Sequence, residues 1–244
     1  MLVGVDASQI EWRVLLELSQ DEVGISEIVQ KQDTHALNQK AFNLPERVIA
    51  KIYLFRTIYR GTGWSFAHDP NFMHVSTDPK FWDAIGEKFY AKYSGIDRCH
   101  HRWCDLVLLG QPIIGPLGRE WEIPLQKDFR GELKIPWTVF TNYPVQGTSA
   151  DIMAIARVSF WNRFRRLGLD KRGCKVILTV HDSIVVDCPD ECVWEVVNLF
   201  YQVFDDLISN IKKLFHYDWT VPLGCECKIG MNLKDMKKVD RTDK

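Results

Sequence analysis

The sequence lacks any long apolar run, and no segment of it approaches the roughly 20 uninterrupted apolar residues that a membrane-spanning helix needs. Its opening stretch, MLVGVDASQIEWR, also lacks the charged and then apolar layout of a signal peptide. These two absences argue against a helical membrane protein. They predict a protein without a membrane partner that works in a cytoplasm.

An excess of charge of either sign is also missing, because 31 Lys and Arg residues face 32 Asp and Glu residues and leave a formal net charge of −1. A polyanionic ligand would therefore have to be met by local clusters of cations rather than by a uniformly basic surface. Internal repeats and low-complexity segments are absent too. A chain of 244 residues with 46% hydrophobic content can bury a core in one or two lobes.

Cysteine is present in an odd number, seven, without a secretion signal, and this favours reduced thiols over a disulfide framework. The segment CHHRWC, Cys99 to Cys104, groups four potential zinc ligands. Its spacing matches no common structural zinc pattern, so packing is the favoured interpretation. The alternating CEC segment at 225–227 is interpreted in the same way.

Local patterns predict several helices and a few strands. MLVGVD predicts a short strand, and the residues after it predict a helix with one apolar face. The segment NLPER predicts a helix from about 44 to about 59, because Asn43 can cap it, Pro45 suits its first turn and Glu46 completes a capping box. Further helices are predicted at about 78–93, 96–109, 145–167 and 190–214.

The runs KVILTV and SIVVDCP are rich in β-branched residues and predict a tight hairpin with His181 and Asp182 at its tip. A carboxylate in an apolar hairpin must be hydrated, paired or bound to a cation if it is to stay charged. In isolation, Asp182 is better explained as an ordinary turn residue. Asp6 closes a second strand, however, and two strand-end carboxylates favour a shared cation.

Four separated motifs follow one another along the chain. They are D-x-S-Q-I-E-x-R at Asp6 to Arg13, R-x-x-x-K-x-x-x-F-x-x-x-Y at Arg47 to Tyr59, N-x-P-x-Q-G-T at Asn142 to Thr148 and V-H-D at Val180 to Asp182. In this order, over nearly the whole chain, they resemble the motifs of family A DNA polymerases. Bacterial polymerase I and the phage replicative enzymes are the nearest comparisons, and RTIYRGTGWSFAHDP is more similar to the phage type.

The resemblance implies an α+β fold of the polymerase right-hand architecture, with an antiparallel-sheet palm and a mostly helical fingers lobe. The palm would comprise residues 1–30 and 137–244, and the fingers would comprise residues 31–136. The thumb and exonuclease domains of familiar members lie upstream of this region and are expected to be absent from the chain. Because an incomplete palm sheet would expose its edges, we expect a second polypeptide that carries the thumb and the upstream palm, as in a split polymerase.

The resemblance also implies template-directed addition of dNTPs to a primer 3′-hydroxyl, with release of pyrophosphate. Asp6 and Asp182 would hold two Mg²⁺ ions, one for the primer hydroxyl and one for the triphosphate. The family commonly has Glu where this chain has Ser183, so the water network around the metals is expected to differ. His181 would lie near the primer terminus, and a structural hydrogen bond in the turn is the alternative.

By the same resemblance, the helix at 44–59 would bind the incoming dNTP. Arg47 and Lys51 would grip the β and γ phosphates, and Lys51 could also donate a proton to the leaving pyrophosphate. Phe55 would pack against the sugar and base, and His35 would contact a phosphate. For an isolated stripe of this kind, an amphipathic helix with solvated cations would be the better interpretation.

Glu11 matches the position that the family uses as a steric gate against the 2′-hydroxyl, with Tyr59 as its hydrogen-bond partner. Asn142 and Gln146 would donate to minor-groove acceptors of the primer–template DNA. The alternative for these two amides is loop capping before a helix that Pro144 helps to begin.

Two other functions remain open. The chain could be an inactive DNA-binding or scaffold subunit derived from a polymerase, or it could make RNA. Asp6 and Asp182 argue against the scaffold, because a pure binding protein has no need for two converging carboxylates beside DNA. Glu11 argues against the synthesis of RNA.

Overall fold

The computed structural model describes residues 1–241 and has the α+β fold that the sequence predicts, with an antiparallel sheet of five strands. The chain forms two compact units. We call them the sheet unit, Met1–Glu11 with Gly147–Lys244, and the helical unit, Trp12–Gln146. These bounds differ from the predicted lobe bounds at 30 and 136, and the assignment of residues to palm and fingers stays a prediction. Residues 1–241 include no helix that is both long and apolar enough to span a bilayer.

The helices are α1 (Ile10–Ser19), α2 (Glu22–Val29), α3 (Thr34–Ala41), α4 (Arg47–Thr57), α5 (Gly63–Ala67), α6 (Pro79–Lys92), α7 (Ser94–Leu108), α8 (Trp137–Arg166), α9 (Val193–Asp205) and α10 (Leu207–Phe215), with a 3₁₀ turn at Asp190–Cys192. The strands are β1 (Leu2–Ala7), β2 (Ile113–Ile114), β3 (Glu120–Trp121), β4 (Gln126–Lys127), β5 (Leu133–Lys134), β6 (Lys175–Val180), β7 (Ser183–Asp187), β8 (Cys225–Gly230) and β9 (Lys237–Val239).

The central sheet has the strand order β6-β7-β1-β8-β9, so β1 lies between β7 and β8. Val3 and Val5 of β1 are fully buried, and α9 packs against β1 and β8. Because side chains alternate along a strand, Gly4 and Asp6 lie on the opposite face of the sheet. One face of the sheet therefore forms the core, and the other face is left for polar groups.

The core of the sheet unit joins helix α8 to helix α9. Phe160 of α8 stacks on Phe200 of α9 with ring centroids 4.3 Å apart, and both rings are buried. The helical unit has its own aromatic core around Tyr53 of α4, whose ring lies 4.7 Å from Phe66 and 5.7 Å from Trp82. Each unit thus fixes its helices by burying large rings.

The predicted cap at Asn43 is wrong, because α4 begins four residues later at Arg47 and its N-cap is Glu46, without a side-chain cap bond. Asn43 has φ of +53°, and its N–H donates to the carbonyl of Lys40. Asn tolerates this left-handed conformation, which commonly ends a helix. Asn43 therefore terminates α3 and does not start α4.

Helix α8 begins at Trp137 and not near residue 145, so Pro144 lies inside the helix. Proline removes one backbone hydrogen bond there, yet burial of the neighbouring Phe140 and Val145 keeps the segment helical. Asn142 and Gln146 are consequently helical residues, and the loop-capping alternative for them is wrong. The helix predicted at 190–214 is divided at Asp206 into α9 and α10.

Candidate active site

The hairpin of β6 and β7 closes with Val180 opposite Ser183, which leaves His181 and Asp182 as its two-residue turn, as predicted. His181 has φ of +49°, the left-handed conformation that short hairpin turns demand. The Ser183 hydroxyl donates to the Val180 carbonyl at 2.9 Å. Arg157 of α8, which the sequence analysis missed, donates from Nη2 to the His181 carbonyl at 3.2 Å. The turn that contains Asp182 is therefore fixed by one hydrogen bond within the hairpin and one from α8.

Strand pairing brings Asp6 and Asp182 to the same end of the sheet, where β1 finishes and the β6–β7 hairpin turns. Asp6 lies directly opposite Ser183 in the register of β1 and β7, and the N–H of Ala7 donates to the Asp182 carbonyl at 3.0 Å. Both aspartates are half-buried. The structure thus brings the backbones of the two aspartates that the sequence singled out close together.

The same end of the sheet has a third carboxylate, Glu226, and an ammonium, Lys228, both on β8. Glu226 lies directly opposite Asp6 on the side away from β7, and Lys228 Nζ lies 2.7 Å from Asp6 Oδ2. The hydrogen bond to Asp6 raises the pKa of Lys228, and the charges of Glu226 and Asp182 add to the effect. The sequence analysis missed both β8 residues, because only the register shows which face of CECKIG meets Asp6.

Two carboxylates can hold Mg²⁺, because this ion keeps several of its waters and binds to one or two protein carboxylates. Within residues 1–241, no three or more His, Cys, Asp or Glu side chains are grouped so that they could hold a metal ion. A centre formed by Asp6 and Asp182 has two such side chains, one fewer than a group of this kind. The Asp6 carboxylate is about two-fifths exposed and pairs with the Lys228 ammonium, so a cationic group can reach it. The residues present therefore fit a magnesium site.

Helix α4 presents the predicted phosphate-binding side chains on one stripe of the helical unit. Arg47 and Lys51 are exposed and Phe55 is half-buried, while Ile49, Ala50, Tyr53 and Leu54 fill the core on the other side. Tyr59 follows the helix end and is half-buried. The stripe has two cations at one end and two aromatic rings at the other.

Arg47 is held by a residue that the sequence analysis missed, Asp33. The Arg47 Nε and Nη2 atoms lie 2.7 and 3.1 Å from the two carboxylate oxygens of Asp33. Asp33 is also the N-cap of α3 and accepts from the N–H groups of His35 and Ala36. Arg47 lowers the pKa of Asp33, and Asp33 raises the pKa of Arg47. The sequence feature that could have indicated Asp33 is its position as an N-cap aspartate two residues before His35.

His35 is a buried histidine beside the α4 stripe, with 2% of its surface exposed and its ring centroid 6.1 Å from that of Phe55. Burial lowers its pKa to about 4, and the positive charge of Arg47 adds to the effect. Its Nδ1 atom is buried and makes no hydrogen bond to any part of the chain that the structure describes. His35 is therefore a neutral imidazole at pH 7.

The remaining predicted residues are placed as follows. Glu11 lies half-buried in the first turn of α1 and belongs to the sheet unit, whereas Tyr59 belongs to the helical unit. Asn142 is half-buried and Gln146 is exposed, one turn apart on α8. Their contacts with a substrate stay predictions.

The CHHRWC segment lies in α7, where Cys99, His100 and Cys104 are buried. His100 Nδ1 accepts from Arg60 Nε at 3.1 Å, so this ring takes part in a hydrogen bond within the fold. Burial lowers the pKa of His100 well below its ordinary value. The segment packs the helical unit.

Comparison with known proteins gives the family. The family model for DNA polymerase family A matches residues 1–235. Over 97% of this chain, the sequence is 24% identical to DNA polymerase theta of Caenorhabditis elegans. Over 95% of this chain, it is 28% identical to DNA polymerase I of Pseudomonas aeruginosa. The chain belongs to DNA polymerase family A.

A solved structure has the same fold. It is the POL domain of Pol1 from M. smegmatis in complex with DNA primer-template and dNTP, and it matches 94% of this chain with a TM-score of 0.74 at 20% identity. The chain spans 14% of the theta relative, 24% of the Pseudomonas relative and 39% of the solved chain. Relatives from an animal and a bacterium leave the phage origin a prediction.

Proposed function

We propose that this chain carries the palm and fingers functions of a template-directed DNA polymerase, which adds dNTPs to a primer 3′-hydroxyl and releases pyrophosphate. The observation that carries the proposal is that the backbones of Asp6 and Asp182 lie side by side at one end of the central strand pair of an antiparallel sheet. Family membership supports it, and so does the likeness in fold to a polymerase solved with primer-template and dNTP.

Asp6 and Asp182 are proposed to hold two Mg²⁺ ions. Bound there, the ions would activate the primer hydroxyl and offset the charge of the triphosphate and of the departing pyrophosphate. The backbone of Asp182 accepts from the N–H of Ala7, the residue after Asp6, so the sheet fixes the two backbones from which these carboxylates extend. The Ser183 hydroxyl bonds to Val180, and the turn is thus closed without the usual acid at this position.

The α4 stripe is proposed to bind the triphosphate. Arg47 and Lys51 lie one turn apart, about 6 Å along the helix axis, which suits two neighbouring phosphates. Lys51 would also donate a proton to the leaving pyrophosphate. Phe55, one turn further on, would pack against the sugar and base. The neutral His35 beside it would act as a hydrogen-bond partner of a phosphate and not as a charge.

The other predicted residues complete the proposal. Asn142 and Gln146 would donate to the minor groove of the primer–template, and His181 would lie near the primer terminus. Glu11 and Tyr59 would together exclude ribonucleotides. A second polypeptide with the thumb and upstream palm, and a location in the host cytoplasm, stay predictions.

The test is magnesium-dependent primer extension by this chain and by Asp182→Asn. Asp187→Asn is the matched control, because it removes the same charge from the far end of β7, the strand that follows Asp182. Asp182→Asn should slow extension by at least about a hundredfold, since it removes charge stabilisation of the transition state, whereas Asp187→Asn should be near normal. Equal extension by all three proteins would contradict the proposal, and extension by none is the result expected if the second polypeptide with the thumb is required. DNA binding without extension would favour the scaffold.

A further inference from the structure

Lys228 forms an ion pair with a proposed metal ligand. Its Nζ lies 2.7 Å from Asp6 Oδ2, and about two-fifths of each side chain is exposed, 42% in both cases. Lys228 lies opposite Gly4 in the register of β1 and β8 and reaches Asp6 on the diagonal. A long side chain covers that diagonal distance in a sheet. The contact therefore follows from the strand pairing.

The neighbours of Lys228 direct it towards Asp6. A Cβ atom at Gly4 would lie 3.0 Å from the Met236 methyl group, so Met236 fills the space above Gly4. On the next strand, Lys238 lies directly opposite Lys228 and pairs with Glu226, 2.9 Å from its Oε1. With Glu226 bound by Lys238 and a like charge beside it, Lys228 has Asp6 as its nearest acceptor.

We propose that Lys228 competes with divalent cations for the metal centre: its ammonium pairs with Asp6 Oδ2, and it must leave that oxygen when a divalent cation binds. Lys228 thereby sets the affinity of the centre for metal. The inference rests on the proposed function, because it takes Asp6 as a metal ligand.

Electrostatics gives the direction of the effect. An ammonium and a divalent cation that share one carboxylate repel each other, so the lysine competes with the metal. Displacement is easy, because exposed ion pairs are weak and the lysine stem is flexible. Removal of the ammonium should therefore strengthen metal binding. A residue that merely held Asp6 in place would have the opposite effect, since its loss would weaken binding.

The experiment measures Mn²⁺ binding to the full chain from the electron paramagnetic resonance signal of the free ion. Lys228→Met should bind Mn²⁺ about three- to tenfold more tightly than the wild type, with screening by salt setting the value within that range. Lys237→Met removes the same charge from an exposed position on β9, opposite Ile229, and should change the affinity less than twofold, by about the effect of net charge alone. Lys228→Arg keeps the charge and should stay near the wild type.

Asp6→Asn identifies the site, because it should weaken Mn²⁺ binding and abolish the difference between Lys228 and Met at position 228. Circular dichroism establishes that each variant is folded. Asp6-dependent binding that Lys228→Met leaves unchanged or weakens would overturn this inference alone. Absence of Asp6-dependent binding in every form would overturn both the inference and the proposed metal centre.

Discussion

Charged side chains that the sequence marked as ligand-binding already have partners inside the chain. Asp6 holds Lys228, and Arg47 holds Asp33 through two hydrogen bonds. The Arg47–Asp33 pair is exposed and the Asp6–Lys228 pair is about two-fifths exposed, and pairs open to water contribute little to stability, at most about 1 kcal/mol. An incoming ion or phosphate can therefore replace the internal partner at small cost.

His35 is the clearest case of a side chain whose chemistry is set by its surroundings. Its ordinary pKa of 6.5 falls to about 4, chiefly through burial and also through the charges of Arg47 and Lys51, while Asp33 opposes the shift. A histidine in this state contributes no positive charge to phosphate binding near pH 7. Its contribution to a ligand would be a hydrogen bond.

The lowered pKa of His35 predicts a pH-dependent stability. The unfolded chain binds the extra proton between pH 6.5 and about 4, so the free energy of unfolding should fall as the pH is lowered through that window. The loss is on the order of 3 kcal/mol at most, from about 1.4 kcal/mol for each pKa unit. Urea unfolding of the wild type and His35→Gln between pH 4 and 7 measures it.

His35→Gln should show the smaller loss, and the difference between the two proteins cancels the titration of His100, which is common to both. The same change at the exposed His101 serves as the control and should behave as the wild type does. Parallel pH curves for the wild type and His35→Gln would contradict the prediction.

At the scale of elements, the sheet unit depends on α9. Its buried side chains include Val196, Val197, Phe200 and Val203, and the helix covers β1 and β8. Because α9 lies on the face opposite Asp6 and Lys228, it fixes the sheet without entering the candidate site. Changes in α9 should act on stability first.

Phe200→Ala should lower the free energy of unfolding of the sheet unit by about 3 to 5 kcal/mol, because it removes a buried ring stacked 4.3 Å from Phe160 and leaves a cavity. Trp194→Ala on the same helix is the control. That ring is 43% exposed, so the change should cost less than about 1 kcal/mol. Denaturant unfolding monitored by circular dichroism compares the two variants. Equal losses would show that α9 does not pack as described.

At the scale of the whole molecule, the predicted site residues are divided between two units. The sheet unit contains Asp6, Asp182 and Glu11, and the helical unit contains Arg47 and Tyr59. The proposed enzyme needs contributions from both units. The preference for dNTPs over NTPs therefore tests the proposed contributions of Glu11 and Tyr59, one from each unit.

Glu11→Ala should reduce the preference for dATP over ATP in primer extension by at least about tenfold, because it removes the carboxylate proposed to exclude the 2′-hydroxyl. Tyr59→Phe should reduce the preference in part, by loss of the proposed hydrogen bond. Glu22→Ala, an exposed glutamate in the first turn of α2, is the control. Unchanged selectivity in Glu11→Ala would reject the steric gate.

Local patterns were enough for much of the fold and part of the candidate site. Strand β1, the hairpin with Asp182 at its tip and the helix with Arg47 and Lys51 are all predictable from local patterns, because each depends on neighbouring residues. Four motifs in order were enough for the family, which the match over residues 1–235 establishes.

Only the tertiary structure decided which distant groups meet. The register of β1 with β8 places Lys228 on Asp6, and side-chain geometry places Asp33 on Arg47. Burial keeps α8 helical through Pro144. Asn43 ends α3, although local rules assign it to the start of α4. Strand register and burial depend on contacts between segments far apart in the chain, about which local propensity carries no information, whereas at Asn43 two local rules compete and the end of α3 prevails.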